Sequence, residues 1–265
     1  MVKLNVNKVY LMREEFIKKN PMNAVPTIKK SNYLAKQNKE VLPVCETITV
    51  FTDEEIEKFK AEAYKKYPSG KPKHNQASAY ILMLNTGLRT AEALGLINSD
   101  IDLEKKVMHI QRGVKEAQKR DGTERKSGRE IIVGKLKTAS SKRIVPLNET
   151  AIQAIIELHN ERYFGEDAPL IPDADGNFTR PLNLRKRFYS ILDAAGIEKK
   201  GLHSLRHTFA TKLVTGVRAD DGTVKALTPR QVADLLGHTT SEITEMYYVK
   251  RNTDMLMGVT NGFEL

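Results

Sequence analysis

Residues 203–207, His-Ser-Leu-Arg-His, hold three side chains that could carry chemistry. On a helix, positions i, i+3 and i+4 share one face, so we expect His203, Arg206 and His207 to cluster. Two histidines at i and i+4 also have zinc-binding spacing, but zinc hydrolases place glutamate after the first histidine, where this chain has Ser204. Arg206 would set a fixed positive charge beside the ion. A metal site is therefore disfavoured, and a pair of surface histidines beside a salt-bridged arginine stays open.

Arg89 stands two residues after Gly87, at the first turn of a predicted helix. That position can present a guanidinium to an anion alongside free backbone N–H groups. The alternative is a local ion pair between Arg89 and Glu92 at i, i+3. Taken alone, this feature favours the ion pair.

Lys137 leads into a polar turn, and the surrounding pattern predicts strand, tight turn and strand. A lysine at a hairpin tip is usually only solvated, but it could also reach into a groove and donate a proton. Both interpretations stay open for Lys137.

Residues 228–250 predict a helix, a glycine turn and a second helix, with His238 after the turn and Tyr247 and Tyr248 near the end. Taken alone, this pattern is typical of a helix-turn-helix DNA-binding regulator. The two tyrosines would then be core aromatics.

The order of these features is more specific than any one of them. An arginine after a glycine turn, a hairpin lysine, His-x-x-Arg-His, Leu-Gly-His and a tyrosine nine or ten residues later follow one another along the chain. This order resembles the tyrosine recombinase (phage integrase) family, and the likeness covers residues 48–250. The resemblance implies the catalytic domain of that family with the end of its core-binding domain.

The resemblance also implies a role for each matched residue in attack on a DNA phosphodiester. Arg89 and Arg206 would bind the two non-bridging oxygens of the transition state through bidentate hydrogen bonds. His203 would accept the proton of the attacking tyrosine, and Lys137 would protonate the leaving 5′-oxygen. His238 would add a hydrogen bond to the phosphate.

The predicted nucleophile is Tyr248, with Tyr247 as the alternative. They lie ten and nine residues after His238, and the family uses both spacings. Neighbouring helix positions point about 100° apart, so only one tyrosine can face the phosphate. The following residues, Val249 and Lys250, resemble members with the longer spacing.

Four further residues are expected to assist: His207 and Glu92 by supporting the site, and Lys142 and Arg143 by contacting DNA. Fixed cationic donors at the phosphate make a divalent metal unnecessary. A covalent 3′-phosphotyrosine conserves the bond energy, so rejoining needs no ATP. The sequence also lacks a G-x-x-x-x-G-K-[ST] loop. We therefore expect no metal and no cofactor.

The composition favours a polyanionic partner, because the 265 residues carry a net charge of +10. A hydrophobic content of 40% excludes a wholly disordered chain. The longest apolar run, Ala79–Leu84, is far too short to span a bilayer, and the single cysteine, Cys45, excludes a disulfide scaffold. We expect a soluble, cytoplasmic bacterial protein that associates with the nucleoid when it acts.

The apolar periodicity of the sequence predicts the helices and strands that must position these residues. They make up a mainly α fold with a small three-stranded antiparallel sheet, and the resemblance implies the integrase catalytic fold. A capping box at Thr52–Glu55, flanked by Phe51 and Ile56 as a hydrophobic staple, predicts a sharp helix start. We expect an exposed, basic loop at 115–129. The other predicted helices are 77–84, 90–96, 149–162, 182–195, 204–214, 229–236 and 240–250, and the strands are 107–113, 130–136 and 142–147.

The predicted domain organisation has three parts. Residues 1–25 would be the last helix of a truncated core-binding domain, stopped at Asn20-Pro21, and residues 26–50 would be a linker. Residues 51–265 would be the catalytic domain, including a C-terminal tail over 251–265. We expect the chain to be a fragment of a longer integrase.

The function that these features predict is site-specific DNA recombination, integrating or excising a mobile element or prophage. The expected partners are double-stranded DNA attachment sites, further copies in a homo-tetramer on synapsed DNA, and an excisionase or DNA-bending accessory protein. A type IB topoisomerase, which shares the covalent step but exchanges no partners, is one alternative. The non-catalytic regulator is the other, but it leaves Arg89, Lys137 and His203 unexplained.

Overall fold

The computed structural model describes residues 49–121, 124–135, 142–218 and 224–237. Several predictions fall outside these ranges and stay predictions: the helix within 1–25, the linker as far as residue 48, the helix at 240–250 and the tail at 251–265. Lys137, His238, Tyr247 and Tyr248 also lie outside the described residues.

The described helices agree closely with the predicted ones, and those at 149–162, 182–195, 204–214 and 229–236 are confirmed to within one residue at each end. No helix in the described ranges is both long and apolar enough to cross a bilayer. The helices are α1 (Asp53–Ala63), α2 (Ser78–Thr86), α3 (Thr90–Ala93), α4 (Glu149–Glu161), α5 (Pro181–Ala194), α6 (His203–Thr215) and α7 (Pro229–Leu236). The strands are β1 (Ile101–Asp102), β2 (Val107–Ile110), β3 (Arg112–Asp121), β4 (Glu124–Lys135), β5 (Arg143–Pro146), β6 (Val217–Arg218) and β7 (Val224–Lys225).

Helix α1 begins at the predicted capping box. The Thr52 hydroxyl accepts a hydrogen bond from the Glu55 backbone N–H at 3.2 Å, and the Glu55 carboxylate accepts one from the Thr52 N–H at 2.8 Å. These bonds satisfy N–H groups that the first turn of a helix leaves without partners. Phe51 and Ile56, on either side, are both buried. The predicted helix start is confirmed.

Helix α2 is the centre of the core, because every one of its residues except Asn85 is buried. A helix that is enclosed on all sides needs neighbours on all sides, and α2 packs against both α4 and α6. The ring of Tyr80 on α2 packs against those of Phe59 and Phe188, with centroids 6.2 and 5.2 Å away, and Phe51 in turn packs against the same two phenylalanines. The aromatic cluster thus joins α2 to α1 and α5, while a hydrogen bond from Arg206 to the carbonyl of Gly87 joins the end of α2 to α6.

The three-stranded sheet is antiparallel in the order β1-β2-β5, so the predicted fold class is confirmed. Its register pairs Met108 with Val145 and Ile110 with Arg143. Met108, Ile110 and Val145 are buried. This pairing anchors the start of β5 against the core.

The predicted strands 107–113 and 142–147 contain β2 and β5, and the described part of 130–136 lies in β4. However, β4 does not belong to the three-stranded sheet, and the predicted loop at 115–129 is wrong. β3 and β4 cover that region as a separate two-stranded hairpin, while β1 completes the three-stranded sheet. Most described side chains of the hairpin are exposed or half-exposed. Ala117 is the one apolar residue of 115–129, so this stretch does not show the apolar alternation that marks a strand in a sequence. Residues 118–128 of this hairpin belong to a different compact unit from residues 48–117 and 129–265, which contain the candidate site.

Helix α3 ends at Ala93, short of the predicted 90–96. Leu94 and Leu96 are both buried although they lie beyond the helix. Their core contacts continue the apolar pattern past the point where the backbone leaves the helix, which explains the overlong prediction.

Gly87 ends α2 with a φ of +64°, and a Cβ there would lie 2.5 Å from the Phe209 ring and 2.6 Å from Leu236. Gly87→Ala should therefore lower the free energy of unfolding by about 1–3 kcal/mol through backbone strain and overpacking. Gly196→Ala is the matched control, because Gly196 has a φ of +65° but nothing within 4 Å of its added Cβ. Urea unfolding should show the larger loss for Gly87→Ala. Equal losses would contradict close packing at the end of α2.

Candidate active site

Glu92, on α3, places a buried carboxylate among three arginines and is only 2% exposed. It accepts hydrogen bonds from the Arg89 backbone N–H at 2.9 Å and from Arg89 Nη1 at 2.7 Å. Arg143 of β5 donates to both carboxylate oxygens, at 3.2 and 3.0 Å. Arg206 of α6 brings its Nη1 to 4.0 Å from Oε2. Three separate elements thus bring their guanidiniums to one carboxylate.

The carbonyl end of α7 is the second partner of these arginines. Arg143 Nε donates to the carbonyl of Leu235 at 2.8 Å, and Arg206 Nη2 donates to that of Leu236 at 2.8 Å. Arg89 Nη1 approaches the Leu236 carbonyl at 3.5 Å. The last carbonyls of a helix lack N–H partners within it and carry the negative end of its dipole. The guanidiniums therefore cap α7.

Arg206 also joins the end of α2 to the site, because its Nη1 donates to the carbonyl of Gly87 at 2.7 Å. The residue is 4% exposed. Burial, followed by the positive charge of Arg89, lowers the pKa of Arg206 from 12.5 to about 9. The guanidinium is therefore still protonated at neutral pH.

The charges of this cluster do not balance. Burial by itself would raise the pKa of Glu92, but the hydrogen bonds and charges of Arg143 and Arg89 outweigh burial and hold that pKa below 4.5. Among the residues that the structure describes, the cluster therefore contains three guanidiniums and one carboxylate at neutral pH. The excess positive charge suits an anion.

Helix α6 places His203 and His207 on the face that carries Arg206, as their spacing predicts. The two ring centroids are 5.6 Å apart. Partial burial lowers the pKa of His203 below 6.5, and the charges of Arg206 and Arg89 lower it further. Burial, His203 and Arg206 lower the pKa of His207 to about 4. Both imidazoles are neutral at neutral pH. His203 can therefore accept a proton, whereas a pKa of about 4 makes His207 a weak base.

The structure brings together six of the residues that the sequence singled out: Arg89, Glu92, Arg143, His203, Arg206 and His207. The local ion pair between Arg89 and Glu92, which was the simpler interpretation of that segment, is confirmed. It forms part of the larger cluster, so the two interpretations of Arg89 are compatible.

Arg143, which the sequence predicted to contact DNA, has a buried position in the cluster. Its side chain is 7% exposed and is bound to Glu92, whereas Lys142 beside it is exposed. The part played by the α7 carbonyls was missed altogether. The sequence feature that could have indicated it is Gly237, which follows α7 with a φ of +67° and marks the end of the helix. The last carbonyls of such a helix can accept hydrogen bonds from cationic side chains.

This arrangement can bind and activate a phosphodiester. Guanidiniums donate paired hydrogen bonds to the non-bridging oxygens of a phosphate, and a neutral histidine beside them can accept a proton. In the part of the chain that the structure describes, no three His, Cys, Asp or Glu side chains lie close enough together to hold a metal ion.

Comparison with known proteins identifies the family. The model of the phage integrase family matches residues 49–254. The tyrosine recombinase XerC-like protein of Caldanaerobacter subterraneus subsp. tengcongensis is 33% identical over 215 residues, covering 76% of this chain and 50% of that protein. Tyrosine recombinase XerC of Corynebacterium glutamicum is 28% identical over 178 residues, covering 66% and 46%. The chain belongs to the phage integrase family, as a tyrosine recombinase catalytic domain, and spans about half the length of these relatives.

Solved structures share the fold. The Tn1549 transposon integrase in complex with a circular intermediate DNA matches with a TM-score of 0.64 at 20% identity, covering 94% of this chain and 73% of that one. The crystal structure of XerA recombinase matches with a TM-score of 0.53 at 19% identity, covering 88% and 72%. The predicted family and fold are both confirmed.

Removing the charge of Glu92 should strongly destabilise the protein. Glu92→Gln keeps the size of the side chain but leaves the buried guanidiniums without their carboxylate, and we expect the free energy of unfolding to fall by about 3–5 kcal/mol. Chemical denaturation monitored by circular dichroism measures the loss.

Glu62→Gln is the matched control for that variant. Glu62 is also 2% exposed, but its partners Lys65 and Lys73 have side chains that are 57% and 38% exposed. Its third partner, His74, is 10% exposed and can hydrogen-bond a glutamine as well as a carboxylate. These lysines can turn to water when their partner is lost, so a smaller loss of stability is expected. A loss at Glu92 no larger than that at Glu62 would contradict the role of Glu92 as the counter-charge of buried arginines.

Proposed function

We propose that this chain is the catalytic part of a site-specific DNA recombinase, which cleaves and rejoins DNA through a covalent 3′-phosphotyrosyl intermediate. The observation that carries the proposal is the meeting of Arg89 and Arg206 around Glu92, where guanidiniums outnumber carboxylates in the described part of the chain. Membership of the phage integrase family supports it.

The proposed reaction begins when the scissile phosphate docks against Arg89 and Arg206. A tyrosine hydroxyl attacks phosphorus, and the P–O bond to the 5′-oxygen breaks as the P–O bond to the tyrosine forms. Two guanidiniums hold the charge that builds on the non-bridging oxygens. Because they are fixed by protein contacts before DNA arrives, little reorganisation is needed in the transition state.

His203 is proposed as the base that takes the tyrosine proton. An unperturbed tyrosine has a pKa of about 10, so its hydroxyl needs an acceptor near neutral pH. The lowered pKa of His203 keeps the imidazole neutral and able to accept. The reverse attack, by the 5′-hydroxyl on the phosphotyrosine, rejoins the strand and returns this proton to the tyrosine.

The remaining roles fall on residues outside the described ranges. We propose Tyr248 as the nucleophile, with Tyr247 as the alternative, Lys137 as the acid that protonates the leaving 5′-oxygen, and His238 as a further donor to the phosphate. Their order along the chain supports these roles. His207 would support His203, and Lys142 would contact the DNA backbone.

The proposal also covers the DNA and protein partners, the domain organisation and the place of action. The partner is double-stranded DNA at attachment sites, and the recombinase would act as a homo-tetramer on synapsed DNA with an excisionase or DNA-bending accessory protein. The net charge of +10 and the likeness to a transposon integrase in complex with DNA support the DNA partner. Residues 1–25 and 26–50 would be the end of a core-binding domain and a linker to the catalytic domain at 51–265. The protein would act in the bacterial cytoplasm, at the nucleoid.

Strand cleavage can be measured with supercoiled plasmid in excess EDTA without ATP, quenched with detergent. We expect protein-linked nicks from the wild-type chain. Arg206→Lys keeps a charge but loses the paired donors of a guanidinium, and it should lower the cleavage rate about 100-fold or more with DNA binding retained. Arg185→Ala, an exposed arginine outside the cluster, is the matched control and should cleave normally.

Tyr248→Phe and Tyr247→Phe complete this experiment. One of the two should abolish the nicks without weakening DNA binding, which identifies the nucleophile. Hybrid DNA products from two marked plasmids would favour a recombinase over a topoisomerase. DNA binding without nicks in any sample would contradict the proposal and favour the regulator, and so would nicks that survive in both tyrosine variants.

A further inference from the structure

Residues 49–53, here named the anchor segment, lie against α6 and lead into α1. Their partners are residues 200, 204, 208 and 212, at intervals of four along the chain. On a helix, positions four apart form a continuous ridge. The anchor segment therefore follows one face of α6 from just before its first residue to its last turn.

Two buried hydroxyls form the middle of this contact. Ser204 Oγ lies 2.8 Å from Thr49 Oγ1. Thr208 Oγ1 accepts the backbone N–H of Phe51 at 2.8 Å and donates to the carbonyl of Ser204 at 2.7 Å. Ser204 and Thr208 are 3% and 1% exposed. A buried backbone N–H needs a hydrogen-bond acceptor, and for Phe51 that acceptor is the hydroxyl of Thr208.

Charged side chains secure both ends of the segment. Lys200 Nζ donates to the carbonyl of Val50 at 3.1 Å and pairs with Glu55. Glu55 is the carboxylate of the α1 capping box, so this pair ties the start of α1 to the start of α6. At the other end, Lys212 pairs with Asp53.

The anchored face and the site face belong to the same helix. Ser204 and Thr208 each follow a site histidine, His203 and His207, by one position, which is a rotation of about 100°. A three-turn helix moves as a unit, so a shift of the anchor segment would shift His203 and Arg206 with it. Misplacement of a catalytic group by about 1 Å can cost about 100-fold in rate.

We propose that Ser204 and Thr208 are positioning residues, which hold α6 against the anchor segment and thereby set His203 and Arg206 at the site. Their significance for catalysis rests on the proposed function, but the mechanical link does not. A displacement of the chain at Thr49 would therefore also displace Arg206, the phosphate-binding arginine on the other side of α6.

NMR on the whole chain tests this link without DNA. The readouts are hydrogen exchange of the Phe51 amide and the titration of His203. In the described ranges, the charged and titratable groups beside His203 are Arg206, Arg89, Glu92 and His207. The variants are Thr208→Val, which removes the hydroxyl from α6, and Thr49→Val, which removes its counterpart from the exposed start of the segment.

Thr208→Val should accelerate exchange of the Phe51 amide and move the titration midpoint of His203 upward, toward 6.5, because a displaced α6 exposes that imidazole to water and moves it away from Arg89. Thr49→Val should move the midpoint in the same direction. Thr208→Ser, which keeps the hydroxyl, should restore wild-type behaviour. Thr215→Val is the matched control, because Thr215 makes the same bond to the carbonyl four residues back, at 2.9 Å, at the exposed end of α6.

An unchanged His203 titration in Thr208→Val, with Phe51 exchange accelerated, would overturn the proposal, because the hydroxyl would then hold the segment without positioning the site. If Thr208→Val does not fold, an unchanged His203 titration in Thr49→Val would overturn the proposal instead. A wild-type chain that fails to nick DNA counts against the proposed function alone, since the NMR result needs no cleavage.

Discussion

The ionised carboxylate of Glu92 is the interaction on which the site depends. Guanidiniums from the α2–α3 turn, β5 and α6 repel one another, and two of them have little access to water. A buried charge without a partner is strongly destabilising. The requirement to pair Arg143 and Arg206 therefore forces their elements to meet at α3. The same requirement assembles the positive site in the absence of DNA.

Further contacts of Arg206, of Gly87 and of the anchor segment connect this charge cluster to the helices around it. Arg206 joins the end of α2 to the end of α7 by bonds to Gly87 and Leu236. Gly87 has no side chain, so the aromatic ring of Phe209 and the side chain of Leu236 can pack over it. The anchor segment holds the opposite side of α6. The helix that carries His203 is thus fixed both at the site and behind it.

Local signals in the sequence predicted much of this fold. Capping residues and apolar spacing placed the helices, because both act over a few residues of chain. The strands over 115–129 were missed because that stretch is polar and has no apolar alternation. The Arg89–Glu92 pair was readable from its spacing of three residues. The Arg143–Glu92 contact joins residues 51 apart, and the Thr49–Ser204 contact joins residues 155 apart, so no local pattern contains either. The order of the motifs led to the family, while the carbonyl cap and the buried setting of Arg143 required the structure.

The claim that this cluster is a preassembled phosphate site can be tested most directly by a crystal structure of the chain with tungstate, a heavy-atom mimic of phosphate. Tungstate should bind within hydrogen-bond distance of the Arg89 and Arg206 guanidiniums while Glu92 keeps its contacts with Arg89 and Arg143. An anomalous peak found only elsewhere on the protein, with the cluster empty and its arginines still bound to Glu92 and the α7 carbonyls, would contradict the claim.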